Sequence, residues 1–279
     1  MEIRKQAEKA ELFRQLHHGP HILLLVNVWD AASACLVEKA GFPAIATSSA
    51  AVANSWGYPD GQRISRGEML SVVERIAQHV RVPVSADLEA GYGNTDEAVT
   101  ELAFAMISAG AVGLNFEDST GDPMNPLLPV EQQVERIRRL REVTNVLGVP
   151  VVINARTDVF LAHVGETESR FDHAVARVNA YRRAGADCLF VPGVTDGETI
   201  GCLVKATEGP LNVLAGPGSP AVAELERLGV ARFSLGSGPF RTVMGWFREF
   251  LSQVRDPQAL AALTRKAIPY GELSKLLED

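Results

Sequence analysis

The sequence predicts an α/β fold, a single (β/α)8 barrel of the TIM type spanning residues 1–279 with extra C-terminal helices. Eight short runs rich in Val, Ile, Leu and Ala recur along the 279 residues. They are nearly continuous in apolar character rather than alternating, as suits parallel strands buried on both faces. Amphipathic segments that open on helix-starting residues lie between them, and no strand–GxGxxG–helix unit appears that would mark an open dinucleotide-binding sheet. Eight βα units in one chain of this length close into a barrel.

Taken in order, the runs predict strands at 22–28 (ILLLVNV), 44–48 (AIATS), 82–87 (VPVSAD), 111–116 (AVGLNF), 150–155 (PVVINA), 187–191 (DCLFV), 211–215 (LNVLA) and 230–234 (VARFS). The predicted helices include 66–79 after Ser65, 95–109 after Asn94, 130–147 after Pro129 and 168–184 after Thr167. Each follows a capping or helix-starting residue. Three helices end in Ala-Gly before the next strand, at Ala40-Gly41, Ala109-Gly110 and Ala184-Gly185, where glycine supplies a left-handed C-cap. The stretch 40–59 reads as a buried strand followed by a loop. Residues 238–279 exceed what an eighth helix needs. Met244, Trp246, Phe247, Phe250 and Leu251 make an apolar segment there, and 256–265 and 271–277 again look helical. Such a surplus covers a barrel end or packs on a neighbouring subunit, so an oligomer is expected.

Composition narrows the function. Lys and Arg number 27 against 34 Asp and Glu, a net charge of −7. With no basic block to offset it, that surface repels phosphate backbones and excludes a nucleic-acid partner. The 46% apolar and 22% charged content is that of a globular chain with a sizeable core. Cys35, Cys188 and Cys202 lack the spacing of a disulfide framework or a zinc site and fit a reducing compartment. The first sixteen residues have no apolar core of a secretory signal, and no unbroken apolar run reaches the length of a membrane span. A cytoplasmic location with no membrane partner is the expectation.

Active sites of such barrels lie at the carboxyl ends of the strands. The predicted ends carry Asn27, Ser48 and Ser49, Asp87 and Glu89, Asn115 and Glu117, Asn154 and Arg156, Asn212, and Ser234; strand six, ending Phe190-Val191-Pro192, is the exception. Polar groups are costly to desolvate without partners, so their convergence at one end reads as a polar pocket. Asp87 and Glu89, two apart on one strand, are expected to point the same way, with Glu117 on the adjacent strand. Three such carboxylates would raise at least one pKa sharply unless a cation neutralises them. A hard divalent ion with oxygen ligands, Mg2+ first and Mn2+ as a substitute, fits the group. The alternative is that one or two of them cap helices or pair with Arg156. The guanidinium of Arg156 suits a substrate carboxylate or phosphonate, or else pairs with Glu117 or Asp158. The glycine turns at 216–219 and 236–238 are not specific phosphate loops, and none of the six histidines is a strong catalytic candidate. Cys188 and Cys35 read as core residues.

The segments Asn27–Ser33, Ser48-Ser49-Ala50, Gly57–Asp60, Asp87–Gly93, Gly113–Asp118 and Asn154–Asp158 occur in that order, and together they resemble the isocitrate lyase/phosphoenolpyruvate mutase superfamily over about residues 15–245. The resemblance implies Mg2+-dependent making or breaking of C–C or P–C bonds beside a 2-oxo acid, by way of an enolate. It also implies a homotetramer that exchanges its C-terminal helix between neighbours. By position it makes Asp87 the direct or near-direct metal ligand, with Glu89 and Glu117 acting through water. Ser48, Ser49 and Ala50 would bind the 2-oxo acid; Asn115 and Asn212, polar residues at strand ends, are expected as further substrate contacts. Asp60 and Arg156 would take the catalytic positions.

Departures from the family pattern set the sub-class. Isocitrate and methylisocitrate lyases carry a Cys-containing loop after the strand-four glutamate, whereas 118–128 here reads DSTGDPMNPLL, without Cys, Lys or His. The phosphonate-handling branches use a Lys and an Asn there; Asn125 is present but no Lys. The expected activity is therefore Mg2+-dependent cleavage or decarboxylation of a small, oxaloacetate-like 2-oxo acid. The alternatives are phosphonomutase or phosphonopyruvate hydrolase chemistry, and a barrel that binds a 2-oxo acid without turning it over.

Overall fold

The computed structural model describes residues 2–93, 95–255 and 264–278. Among them, eight parallel strands close into a barrel in sequence order. They are β1 Leu23–Val28, β2 Ile45–Thr47, β3 Val84–Asp87, β4 Gly113–Glu117, β5 Val152–Arg156, β6 Cys188–Phe190, β7 Leu211–Leu214 and β8 Arg232–Ser234. The helices are α1 Ile3–Leu16, α2 Ala31–Lys39, α3 Ser49–Ser55, α4 Arg66–His79, α5 Asp96–Ser108, α6 Val130–Val146, α7 Arg170–Arg183, α8 Gly197–Ala206, α9 Val222–Leu228, α10 Gly238–Gln253 and α11 Tyr270–Lys275. Every predicted strand is present, most of them trimmed by one or two residues at an end. No helix among the described residues is long and apolar enough to cross a membrane.

Caps explain where several helices begin. Asp30 and Ser33 form a capping box for α2, as Ser65 and Glu68 do for α4. The α5 cap is Thr95, whose hydroxyl accepts from Ala98 N; Asn94, the expected cap, lies outside the described residues. The expected loop after β2 is instead helix α3. Its Ser48 hydroxyl accepts from Ala51 N, and the run Ala50-Ala51-Val52-Ala53 then packs as helix. The segment expected to be one helix over 168–184 opens as a 3-10 turn, Thr167–Ser169, before α7. Of the expected helix at 256–265, residues 256–263 lie outside the described residues; Thr264–Lys266 is a 3-10 turn.

Helix α1 closes the amino-terminal end of the barrel. Gln6 Nε2 donates to the carbonyls of Ile107 (2.8 Å) and Ala111 (3.0 Å), and Arg14 reaches Pro150 O (2.8 Å) and Asp187 (3.1 Å). Phe13 then plugs the floor. A Cβ on Gly113 would sit 2.6 Å from its ring, so the first residue of β4 has to be glycine for that plug to fit. At the opposite end, strand register places Asp87 beside Asn115, Asn115 beside Asn154, and Glu117 beside Arg156. The polar groups expected at the strand ends thus share one end of the barrel with their neighbours fixed by pairing.

Candidate active site

Asp87, the last residue of β3, is held at both carboxylate oxygens. Oδ2 accepts from the backbone N–H of Ser49 (2.8 Å) and from its hydroxyl (2.7 Å), and Oδ1 accepts from Asn115 Nδ2 (3.2 Å). Its own N–H donates to Thr47 Oγ1 at 2.8 Å. Asn115 cannot rotate freely, because its Oδ1 accepts from Asn154 Nδ2 at 2.6 Å. Three neighbouring strands and the first turn of α3 therefore fix one buried carboxylate.

Glu89 reaches the same place by a different route from the one the sequence suggests. It does not continue β3, which ends at Asp87; its backbone is left-handed, with φ 50°. Strand alternation therefore does not aim it. The turn does, and the carboxylate is fixed by Gln62 N (2.8 Å) and Tyr92 Oη (3.2 Å), while Gln62 Oε1 accepts from Tyr92 N (2.7 Å). Gln62 and Tyr92 also have positive φ, 56° and 59°. Non-glycine residues rarely adopt that conformation, and three at one site indicate a geometry maintained by its surroundings. Gly91, at φ 89°, completes the turn; a Cβ there would lie 2.7 Å from the Phe116 ring. Arg136 braces the turn from below, bonding Ala90 O and Gly93 O and lying over Phe116.

Glu117 ends β4 and pairs with Arg156 Nη1 at 2.9 Å. The same guanidinium bonds Asp158, Nε to Oδ1 at 2.5 Å and Nη2 to Oδ2 at 2.8 Å. Both partners offered for Arg156 by the sequence are thus real, and the arginine bridges them at the mouth. Burial works against its charge, but Glu117 and Asp158 outweigh that and hold it protonated. Asp158 is placed in turn by Asp118, whose Oδ1 accepts from Asp158 N at 3.0 Å. The other oxygen of Asp118 accepts from Thr157 Oγ1 (2.7 Å), Tyr181 Oη (2.7 Å) and Arg177 Nη1 (3.0 Å). Arg177 also donates to Leu128 O (2.9 Å), which ties the base of the 118–128 loop to α7.

The electrostatics of the mouth favour a cation. Burial, then the charges of Asp87 and Asp60, push the Glu89 carboxyl up to about 7. Burial pushes Glu117 upward too, with Arg156 pulling it back and Asp158, Asp87 and Glu89 pushing the other way. Asp60, in the loop between α3 and α4, is raised chiefly by desolvation and is acted on by Asp87, Arg156 and Asp158. Five carboxylates (Asp60, Asp87, Glu89, Glu117 and Asp158) therefore influence one another, with Arg156 alone ion-paired among them. Their donor atoms are all oxygen, the chemistry a hard divalent ion takes. Among the described residues, however, no three His, Cys, Asp or Glu side chains close on a common point as a ready-made chelate. The expected triple carboxylate cluster is thus a looser acidic surround, in which an ion would touch few protein atoms directly and keep waters, as Mg2+ does.

The remaining expected contacts are distributed as follows. Ser49 is committed to Asp87, Ser48 caps α3, and Ala50 lies in its first turn. Asn115 supports Asp87. Asn212 is wholly buried, and its Oδ1 accepts from Ser234 Oγ at 3.2 Å. Sequence reasoning named Asp158 only as a partner for Arg156, and missed Gln62 and Tyr92 as parts of the site. The signal for Asp158 was its place two residues past Arg156; Gln62 and Tyr92 carried none. Cys188 is buried in β6 with its thiol pushed up to about 12 by burial, the core residue expected.

Comparison with known proteins matches this geometry to a family. The phosphoenolpyruvate phosphomutase family model matches residues 13–255. The chain belongs to this family, within the isocitrate lyase/phosphoenolpyruvate mutase superfamily. A Mycobacterium tuberculosis H37Rv protein of uncharacterised activity is 33% identical to this family member over 269 residues, 96% of each chain. An oxaloacetate decarboxylase of Rhodopseudomonas palustris is 29% identical over 265 residues, covering 92% of this chain and 88% of its own. A solved Burkholderia cenocepacia J2315 structure, described only provisionally as a lyase/mutase, superposes with a TM-score of 0.91 at 36% identity, covering 99% and 98% of the two chains. The family is one of lyases and mutases, and this member is an enzyme of that type.

Proposed function

We propose that the enzyme splits or decarboxylates a small, oxaloacetate-like 2-oxo acid with the help of Mg2+. The observation that carries this reading is the surplus of carboxylates over cations at the mouth, with Glu89 pushed to about 7 while only Arg156 is ion-paired among five acids. Asp87 would be the direct ligand, with Glu89 and Glu117 holding ion-bound waters. Bound there, Mg2+ would offset the negative charge that builds on the substrate's keto oxygen as the adjacent bond breaks. Arg156, already bridged between Glu117 and Asp158, would present its remaining edge to the substrate carboxylate. The backbone N–H of Ala50, in the first turn of α3, would receive the other end of the 2-oxo acid unit, the Ser49 N–H being committed to Asp87. Asp60 on the rim, its carboxyl raised by desolvation, would exchange a proton with the enolate carbon.

The far wall supports cleavage over phosphonate transfer. On the far side, β6 ends at Phe190, opposite Arg156 in register, and β7 ends at Leu214. Neither strand supplies a cation there, and the 118–128 loop adds none. A departing carboxylate that becomes neutral CO2 suits a wall of that kind, whereas a phosphonate dianion would find at the mouth only Arg156, already bridged between Glu117 and Asp158. The test is a panel of 2-oxo acids with and without Mg2+, phosphonopyruvate included. Expected is Mg2+-dependent turnover of a 2-oxo diacid, abolished by chelation and restored by Mg2+ or Mn2+. Turnover of phosphonopyruvate alone would replace this reading with P–C chemistry, and binding without any turnover would leave a non-catalytic barrel.

We also propose that α10 packs on another copy of the chain, in a homotetramer. Val243, Met244, Trp246, Phe247 and Leu251 are each 45–52% exposed, and no residue of this sixteen-residue helix is buried. An apolar face of that extent rarely stays wet in a soluble protein. Light scattering is expected to report a tetramer at micromolar concentration; a monomer would contradict this.

A further inference from the structure

Arg232 points to a feature of the site that neither the family match nor the acidic mouth explains. It lies on β8 inside the barrel and is 0% exposed. Nε donates to Ser234 Oγ (3.1 Å), Nη2 reaches Asn115 Oδ1 (3.4 Å), and Nη1 has no partner. No carboxylate among the described residues lies within ion-pair distance of it. Its surroundings are uncharged. Burial, and then Arg232 itself, drive His17 down to about 3, and His17 Nδ1 bonds Phe13 O (2.8 Å), so this imidazole is neutral. Cys188 is held as the thiol. Burial lowers the guanidinium only to about 10, so it is charged at neutral pH. The anion that attracts it at neutral pH is Asp87, reached through Asn115.

An unpaired buried cation costs stability, and an apolar residue of similar volume would serve the core better. We propose that Arg232 is the positive pole beneath the active site, tilting its potential towards anions and against cations. This rests on the reading that Asp87 holds a divalent ion beside an anionic substrate. A charge buried inside the barrel, screened by little water, acts on both with opposite sign. It loosens the ion and draws charge out of Asp87 through the amide of Asn115. It also favours the negative charge that develops on the substrate. Arg232 is thus an electrostatic positioning residue, not one that touches the reacting atoms.

Opposite signs make the test specific. Mn2+ affinity is measured by electron paramagnetic resonance, and oxalate affinity at saturating Mn2+ by calorimetry, oxalate being a planar dianion shaped like an enolate of pyruvate. Arg232→Met and Arg232→Gln are each expected to bind Mn2+ roughly fivefold more tightly and oxalate roughly fivefold more weakly, the order one charge supplies in a barrel interior. Arg232→Lys should restore both. The metal-free melting temperature of Arg232→Met should not fall. Gln keeps hydrogen-bonding capacity without charge, so it decides the matter if Met does not fold. Mn2+ and oxalate affinities that fall together, or a Gln variant that matches wild type, would overturn the proposal. Asp87→Ala serves as a separate control: if it binds Mn2+ like wild type, the metal reading itself fails, whatever Arg232 does.

Discussion

Asp87→Ala and Asp87→Asn are each expected to lower turnover of the 2-oxo acid by about 10³-fold or more, with the barrel intact. The magnitude follows from removing the group that would bind a charge-stabilising ion directly, which is worth several kcal/mol to a transition state in which charge develops. Stability should change little, because two effects oppose one another. Ser49 N–H and Asn115 Nδ2 lose their acceptor, which costs about 1–3 kcal/mol for a buried group left unsatisfied. Repulsion from Asp60, Glu89 and Glu117 is relieved at the same time. Steady-state kinetics alongside circular dichroism reads both. A variant retaining a tenth of wild-type turnover would show that Asp87 is not the ion's ligand.

Asp118→Ala carries the largest expected loss of stability. This wholly buried carboxylate accepts from Thr157, Asp158 N, Tyr181 and Arg177. Deleting it leaves a buried guanidinium without its counter-charge, a change that costs about 3–5 kcal/mol. The melting temperature should fall by roughly 10 °C, given how little one kcal/mol moves a chain of this size. Arg177 also ties Leu128 O, so the base of the 118–128 loop should loosen with it. Differential scanning calorimetry checks the first effect and hydrogen exchange at residues 119–128 the second. A fall of under 2 °C would mean that the Asp118 network is not what clamps α7 to the loop.

The barrel was legible because parallel strands buried on both faces write themselves as apolar runs, and each of the eight appears where such a run stands. Helix α3 was not, because Ser48-Ser49-Ala50 follows a strand with no break in apolar character; only the Ser48 cap tells the two apart. The acids at the site were visible one by one as polar residues closing strands. Their arrangement was less so. Glu89 owes its direction to a left-handed backbone at Glu89 and Tyr92, and to Gln62, a residue 27 positions earlier. Neither period-two alternation nor local propensity encodes that. Arg232 was hidden by its position, two residues before the strand end that drew attention. On the inward face of a strand whose other side is apolar, a buried charge and an exposed one look the same in sequence. Asp158 shows the opposite case: it stands two residues past Arg156, close enough to be named as its partner, and the structure makes it so.

Anomalous diffraction from crystals grown with Mn2+ and oxalate tests the central claim most directly. One peak within about 2.3 Å of an Asp87 oxygen is the predicted result, with Glu89 and Glu117 reached through ordered water and oxalate lying towards Arg156. A barrel mouth with no peak, or a peak bound on the far side of Arg156 away from Asp87, would contradict it.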